Sequence, residues 1–413
     1  MKKALFIGYV WPEPNTTAAG HRMLQLLNAF KKFGYQVVFS STAVKSQYSY
    51  NLDSIDVEFM TIKLNHSSFD VFVQELNPDI VVFDRYMMEE QFGWRVAEFA
   101  PQALRVLNTE DLHSLRKVRE ECYKQGEEFT LKKWKNHSMT LREMTSIYRS
   151  DLSLLISTYE MEILQSELGI SKHMLLHLPF MLDEISNKEV NTWPNFEERK
   201  DFLCAGNGKH TPNVDSIITL KRHIWPLIKN RLPEANLNIY GAYLPQQILE
   251  MNNPKEGFHV MGWAEDLASK LKSTRVVLAP LQFGAGIKGK LIDAMKNGTP
   301  SVTTSTGTEG MHGNSSWGGI ICDDWEVFAK ASVQLYENKE KWGQAQFSGI
   351  AIINKYYSKA IRIKKLEEKL KHIQSNLTEY REQNFIGRLL QQQTMASTKY
   401  MAKWIEEKNR GQA

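Results

Sequence analysis

The 413-residue chain is poor in cysteine: Cys122, Cys204 and Cys322 stand far apart, with no CxxC spacing. Three isolated thiols exclude an even-numbered disulfide framework and fit a reducing, cytoplasmic setting. No run approaches the roughly 18 apolar residues of a membrane span, so any membrane contact is expected to be peripheral. The start, Met1-Lys2-Lys3 before Ala4-Leu5-Phe6-Ile7, imitates a secretory leader. Its apolar run is short, however, and meets Trp11-Pro12-Glu13-Pro14 without a small-x-small cleavage pattern, so it reads as a buried first strand. No Asp-x-Asp pair occurs. An excess of one charge is also lacking, since 51 basic side chains face 47 acidic ones for a net +4. That balance excludes a chain held to nucleic acid by bulk charge. The sum hides a gradient: from Lys355 onward 13 basic and 6 acidic residues make +7, which leaves 38 against 41, or −3, before it.

What the chain has is alternation. Short runs rich in Val, Ile, Leu and Phe are separated by longer amphipathic stretches, the pattern of parallel strands covered on both faces by crossover helices. The first series of expected strands is Ala4–Val10, Gln36–Ser40, Val57–Lys63, Asp79–Asp84, Arg105–Asn108, Leu152–Ser157 and Leu175–Pro179. Helices are expected over Gly20–Lys32 and in the charged stretch Ser114–Arg149. Asp183–Lys200 is polar and without a strand-like run, so it reads as a linker. A second series follows: Asp201–Ala205, Asn236–Tyr240, His259–Trp263, Arg275–Ala279, Ser301–Thr304 and Gly319–Cys322. The expected class is α/β, two Rossmann-like doubly wound domains facing across a cleft, with ligands beyond the carboxyl ends of the strands. The domains are then 1–185, linker 186–199, 200–354 and a basic helical tail 355–413.

The most informative stretch runs from Ala279 to Met295, where a strand ends at Pro280, a loop carries Gly284, Gly286 and Gly289, and a helix is expected to open near Ile287. Glycines let a ligand approach the backbone, and the free N–H groups of a helix start favour an anion. Lys288 is expected in the first helical turn, where a cation opposes the dipole unless an anion compensates it. Asp293 follows five residues on, where a carboxylate can accept from a ribose diol. Asn297-Gly298-Thr299-Pro300 closes the helix and Gly307-Thr308-Glu309-Gly310 makes a second glycine turn. Nine of the 24 glycines lie between Gly284 and Gly319, a crowding that favours a ligand site over chance looping.

Phe283–Pro300, Thr308–Met311 and the preceding Ala205–Asp215 resemble the C-terminal domain of the GT-B nucleotide-sugar glycosyltransferases, most closely the family-four-like, retaining branch of bacterial surface-polysaccharide synthesis. The resemblance covers about Met1 to Ile373. It implies that the second domain binds the nucleotide diphosphate of the donor and the first binds the acceptor. Gly284, Gly286, Ile287 and Lys288 would cradle the diphosphate, Lys209 would be a second cation, and Asp293 would hold the ribose as the second acid of the family's E-x7-E pattern. The first acid is replaced by Ala285; Glu309 is a substitute from the next turn. In the first domain, Asn15–Arg22 with Gly20 resembles the family's glycine loop near donor phosphates, although Thr16 or Thr17 also reads as a plain helix cap. Asn108–Arg116 resembles its Asp-x-His segment, which makes His113 the catalytic candidate beside Lys288. The resemblance implies retention, with His113 binding donor sugar or phosphate; with inversion, His113 or Asp111 becomes the candidate base.

With no Asp-x-Asp motif, neither metal nor cofactor is expected, and the protein's cations take the divalent ion's place. A nucleotide-sugar epimerase and a non-catalytic nucleotide-sugar-binding scaffold are the competing readings, and a panel of nucleotide sugars separates them. In the tail, Ile363, Leu366, Leu370, Ile373, Leu377 and Tyr380 form a seam at spacings of three and four. It suits a helix crossing back to the first domain, a homodimer through a short coiled coil, or, with Leu389, Leu390, Met401, Trp404 and Ile405 beyond it, a basic amphipathic segment at the inner face of the membrane.

Overall fold

The computed structural model describes residues 1–410, less the side chains of residues 393–396. The first sheet contains β1 (Lys3–Gly8), β2 (Gln36–Ser41), β3 (Glu58–Thr61), β4 (Ile80–Asp84), β5 (Leu104–Asn108), β6 (Leu152–Leu155) and β7 (Leu175–His177), in the order β3-β2-β1-β4-β5-β6-β7. The second contains β8 (Lys200–Ala205), β9 (Leu237–Tyr240), β10 (Phe258–Gly262), β11 (Thr274–Ala279), β12 (Ser301–Thr303) and β13 (Gly319–Ile321), in the order β10-β9-β8-β11-β12-β13. Every pairing is parallel. The chain therefore has two doubly wound α/β domains with a helical extension, and each apolar run read as a strand is one. β3 is shorter than its run because it is an edge strand, paired only with β2 over Glu58–Thr61.

In each sheet the crossovers leave the first strand in both directions. Such a reversal opens a crevice at the carboxyl ends, between β1 and β4 here and between β8 and β11 in the second domain. The loops after these four strands define where a ligand can sit. Buried Phe6, Val37 and Val82 pack on one face of the first sheet and Leu5, Val81 and Phe83 on the other, the two-sided burial that makes parallel strands read as continuous apolar runs.

The helices of the first domain depart from expectation in the charged stretch. The stretch Ser114–Arg149 is three helices, His113–Gln125, Leu131–Asn136 and Ser138–Arg149. Gly126 ends the first in the left-handed region at φ 67°, and Thr130 caps the second by accepting from the Lys133 amide at 3.3 Å. The linker is held to the second domain: Arg199, fully buried, donates to Thr299 Oγ1 at 2.8 Å and to the Asn297 carbonyl at 3.1 Å.

After the second domain the chain crosses back. The Leu182 amide donates to the Tyr357 carbonyl and the Lys359 amide to the Leu182 carbonyl, both at 2.8 Å, so the outgoing and returning crossings lie side by side. Helix Lys359–Ser375 then lays Ile363, Leu366, Leu370 and Ile373 into the first domain's core beside Leu26, Phe30 and Val82. The seam is internal and not free to pair with a second copy. Helix Phe385–Arg410 continues along the same domain, tied by Lys399 to Glu98 and by Glu406 to Ser67. Its outer side exposes Phe385, Ile386, Leu389, Tyr400 and Trp404. Among the described residues no helix is long and apolar enough to cross a membrane.

Leu366→Ala should destabilise the fold by about 2–5 kcal/mol, as large-to-small changes in packed cores do. Ile361→Ala, on the half-exposed side of the same helix, should stay within about 0.5 kcal/mol. Urea unfolding of both variants measures the difference.

Candidate active site

The loop after β11 lies against the first domain. Gly286 has φ 64°, and a Cβ there would stand 2.7 Å from the Asp111 Cβ. Only glycine combines that left-handed backbone with that approach. The helix behind the loop is Gly289–Lys296, two residues later than expected. Lys288 caps it in extended backbone, so its charge stands just outside the helix instead of in the first turn. The Lys288 ammonium is buried and donates to the Gly286 carbonyl at 2.8 Å. Burial pushes its pKa down to about 8, against the attraction of Glu309. The Ile287 side chain is packed in an apolar cluster between the domains with Ile156 and Phe180, so only its backbone is available to a ligand.

The facing wall is built from β5 and the residues after it. Arg22, fully buried, donates to Asn108 Oδ1 and the Pro179 carbonyl, and Asn108 donates to Glu110 Oε1 at 2.8 Å. This network fixes the turn that carries Glu110 at φ 62° and delivers Asp111 and His113 to the cleft. Glu143 accepts from the His113 and Ser114 amides, both at 2.9 Å, and so satisfies the start of helix His113–Gln125. Burial raises its carboxyl to about 7. Burial also pushes up Asp111, but Arg116, His113, His210 and Arg85 outweigh it and hold the carboxyl at about 2. His113 Nδ1 lies 3.1 Å from the Asp111 carbonyl, a contact that requires the proton on Nδ1 and leaves the Nε2 lone pair open. Burial drives its pKa down to about 4. A neutral imidazole of that basicity is suited to hydrogen bonding more than to full proton abstraction.

Several groups that close the site were not singled out in the sequence. Arg119 crosses the cleft to hold both Glu309 oxygens at 2.7 and 2.8 Å and the Gly284 carbonyl at 2.8 Å. Glu160 accepts from the Leu112 amide at 3.1 Å and the Gly286 amide at 2.8 Å, one from each domain. Burial raises its carboxyl to about 8. Lys290 donates to Asn213 Oδ1 at 2.8 Å, and burial lowers its pKa. His210, lowered to about 4 by burial and then Arg116, faces Asp111. Arg-x-x-Arg at 116 and 119 and Ser-x-x-Glu at 157 and 160 were the available sequence signals, and neither is distinctive on an amphipathic helix.

The residues expected at the site divide. His113, Gly284, Gly286, Lys288 and Glu309 converge on one seam. Lys209 is exposed, its ammonium 3.6 Å above the Tyr243 ring, and is not among the charges acting on Lys288. Glu309 is held by Arg119 through both of its oxygens. Asp293 has no side-chain hydrogen bond among the described residues, and burial raises its carboxyl to about 6. Gly20 serves helix packing: a Cβ would stand 2.5 Å from the Glu13 backbone, and its amide donates to the capping Thr17 hydroxyl at 3.0 Å. The Asn15–Thr17 loop does meet the second domain, through Trp263 Nε1 to the Asn15 carbonyl at 3.1 Å.

Burial makes His113 resist charging, so it should remain neutral until the pH falls toward about 4. Its imidazole NMR signals should stay constant from pH 8 to about 5.5, whereas an exposed histidine titrates near 6.5. A midpoint above 6 would remove the environment described here.

Comparison with known proteins places this geometry. Residues 199–338 match the model of the family described as Glycosyl transferases group 1. A Klebsiella pneumoniae protein, described as an uncharacterized 44.6 kDa protein in the cps region, is 23% identical over 214 residues. The match takes in 50% of this chain and 53% of that one, so the chain spans about half the length of the curated relative. Sucrose-phosphate synthase from Thermosynechococcus elongatus superposes with a TM-score of 0.66 at 13% identity, covering 90% of this chain and 99% of that one. Anabaena HepE in complex with UDP and glucose superposes with a TM-score of 0.63 at 14% identity, covering 90% of this chain and 100% of that one. The chain thus has the GT-B fold, and residues 199–338 of its second domain are similar to the glycosyl transferases group 1 family.

Proposed function

We propose that the protein moves a sugar from a nucleoside-diphosphate donor to a hydroxyl of a glycan or lipid-linked acceptor. The reaction proceeds with retention and without a metal ion, in synthesis of a bacterial surface polysaccharide or glycolipid. The observation that carries this reading is the buried Lys288 ammonium at a helix start, on the loop that closes on Asp111 and His113. Breaking a sugar–diphosphate bond gathers negative charge on the departing phosphate. A cation and backbone donors preorganised in a water-poor site favour that charge in the transition state more than in the ground state.

In this reading Lys288 and the loop amides other than that of Gly286, which Glu160 holds, receive the diphosphate, and the unengaged Asp293 carboxyl accepts from the ribose. Neutral His113 presents Nε2 to the donor sugar. Its weak basicity favours retention, in which the leaving phosphate takes the acceptor proton, over inversion by a histidine base. Lys288 and Lys290 supply the positive charge that a divalent ion supplies elsewhere. The relative from a cps region and the UDP and glucose held by HepE support the substrate class. The exposed Phe385, Leu389, Tyr400 and Trp404, with Arg388, Lys403 and Lys408 on the same helix, support peripheral contact with an anionic inner-membrane surface.

Lys288→Ala should lower turnover about 100- to 1,000-fold with the fold intact, as loss of one transition-state donor does. A panel of nucleotide sugars, read by donor consumption and product anomer by proton NMR, tests the assignment; unchanged turnover in the variant removes it. EDTA should leave the rate unaltered. In wild type, kcat/KM should fall above about pH 8 as Lys288 loses its proton.

A further inference from the structure

Ala285 stands where the resembled family carries its first acid. Its methyl packs against the apolar cluster of the first domain that contains Leu112 and Leu115, an environment that disfavours a carboxylate. One residue along, the Gly286 amide is met by a carboxyl from the opposite domain, that of Glu160. Its Oε1 is saturated by two amides. Its Oε2 is the one fully enclosed carboxyl oxygen, among the described residues, that has no hydrogen-bond partner.

Three other acids of the cleft are committed, while Asp293 is assigned to the ribose. Glu309 is held by Arg119, Asp111 by Arg116 and His113, and Glu143 by Ser114 and the His113 amide. A second orphan lies on the same helix start: Ser157 caps helix Thr158–Ser166, yet its hydroxyl makes no bond and faces Gly310, where a Cβ would stand 2.1 Å away. Ser157 and Glu160 have the spacing of a capping box, in which each side chain would satisfy the other end's amide. Here neither does so, and both are fully buried on the seam between the domains. A buried polar atom without a partner calls for an explanation, and a ligand group that completes it is one.

We propose that Glu160 is the donor-sugar carboxyl of this protein: it replaces, from the first domain, the acid absent at Ala285, and its free Oε2 together with Ser157 Oγ hydrogen-bonds a hydroxyl of the transferred sugar. This rests on the glycosyltransferase reading above. The neighbouring Lys288 and Gly286 place that hydroxyl next to the diphosphate. Burial, with Asp111 nearby, keeps the carboxyl protonated at neutral pH, so Oε2 donates to the hydroxyl oxygen.

The test uses the full chain, the nucleotide sugar that wild type consumes, its monodeoxy analogues and the free nucleoside diphosphate. Wild type should disfavour one monodeoxy donor by about tenfold or more in kcat/KM, the scale of a lost buried hydrogen bond. In Glu160→Ala that discrimination should shrink below about threefold, with nucleoside diphosphate affinity within about twofold of wild type. Glu160→Gln, which keeps a donor at this point, should retain most of the discrimination. Parallel loss of nucleoside diphosphate affinity and turnover would reduce Glu160 to a tie between the two amides and overturn the proposal, as would undiminished discrimination in the alanine variant. Wild type that neither binds nor consumes any nucleotide sugar would instead sink the glycosyltransferase reading itself.

Discussion

The site depends on one contact across the domains. Arg119 leaves the first domain to grip both oxygens of Glu309 and the carbonyl of Gly284, so one guanidinium holds both glycine turns of the second domain. Its planar fork matches a carboxylate in two places at once, which a lysine cannot do. Around that grip the amides of Leu112 and Gly286 meet on Glu160, and Gly286 closes on Asp111. Through these contacts the loops beyond β5 and β11 face one another.

The charges at the seam are balanced by position more than by number. Asp111 stays ionised because four positive or ionisable groups surround it, while Glu143 and Glu160 are pushed toward neutrality by burial. Two kinds of carboxyl thus stand within one small region, one an acceptor and the other able to donate. Lys288 is lowered by burial to about 8, and a neighbouring anion would raise it again.

Much of this could be read from the chain. Strands buried on both faces write themselves as continuous apolar runs, so all thirteen were visible, and Gly284–Lys288 was visible because glycine and lysine beside a strand end have few other uses. What could not be read is what depends on partners distant in sequence. Glu160 and Arg119 sit on ordinary amphipathic helices, and nothing local distinguishes them from surface charges. Lys209 occupies a suggestive loop, and the structure rests its exposed ammonium over the Tyr243 ring. The helix between Ser114 and Arg149 was read as continuous because its charge pattern persists through Gly126, whose positive φ breaks it. The tail seam was legible as an apolar stripe, but its partner was decided by the return of the chain to the first domain.

The paired crossings at Leu182 and Tyr357–Lys359 carry a mechanical consequence. Two hydrogen bonds at one point tie the outgoing and returning crossings to each other. The returning crossing is anchored by a helix embedded in the opposite domain, so the two halves are fastened twice. A single cut in the polar linker would leave them joined.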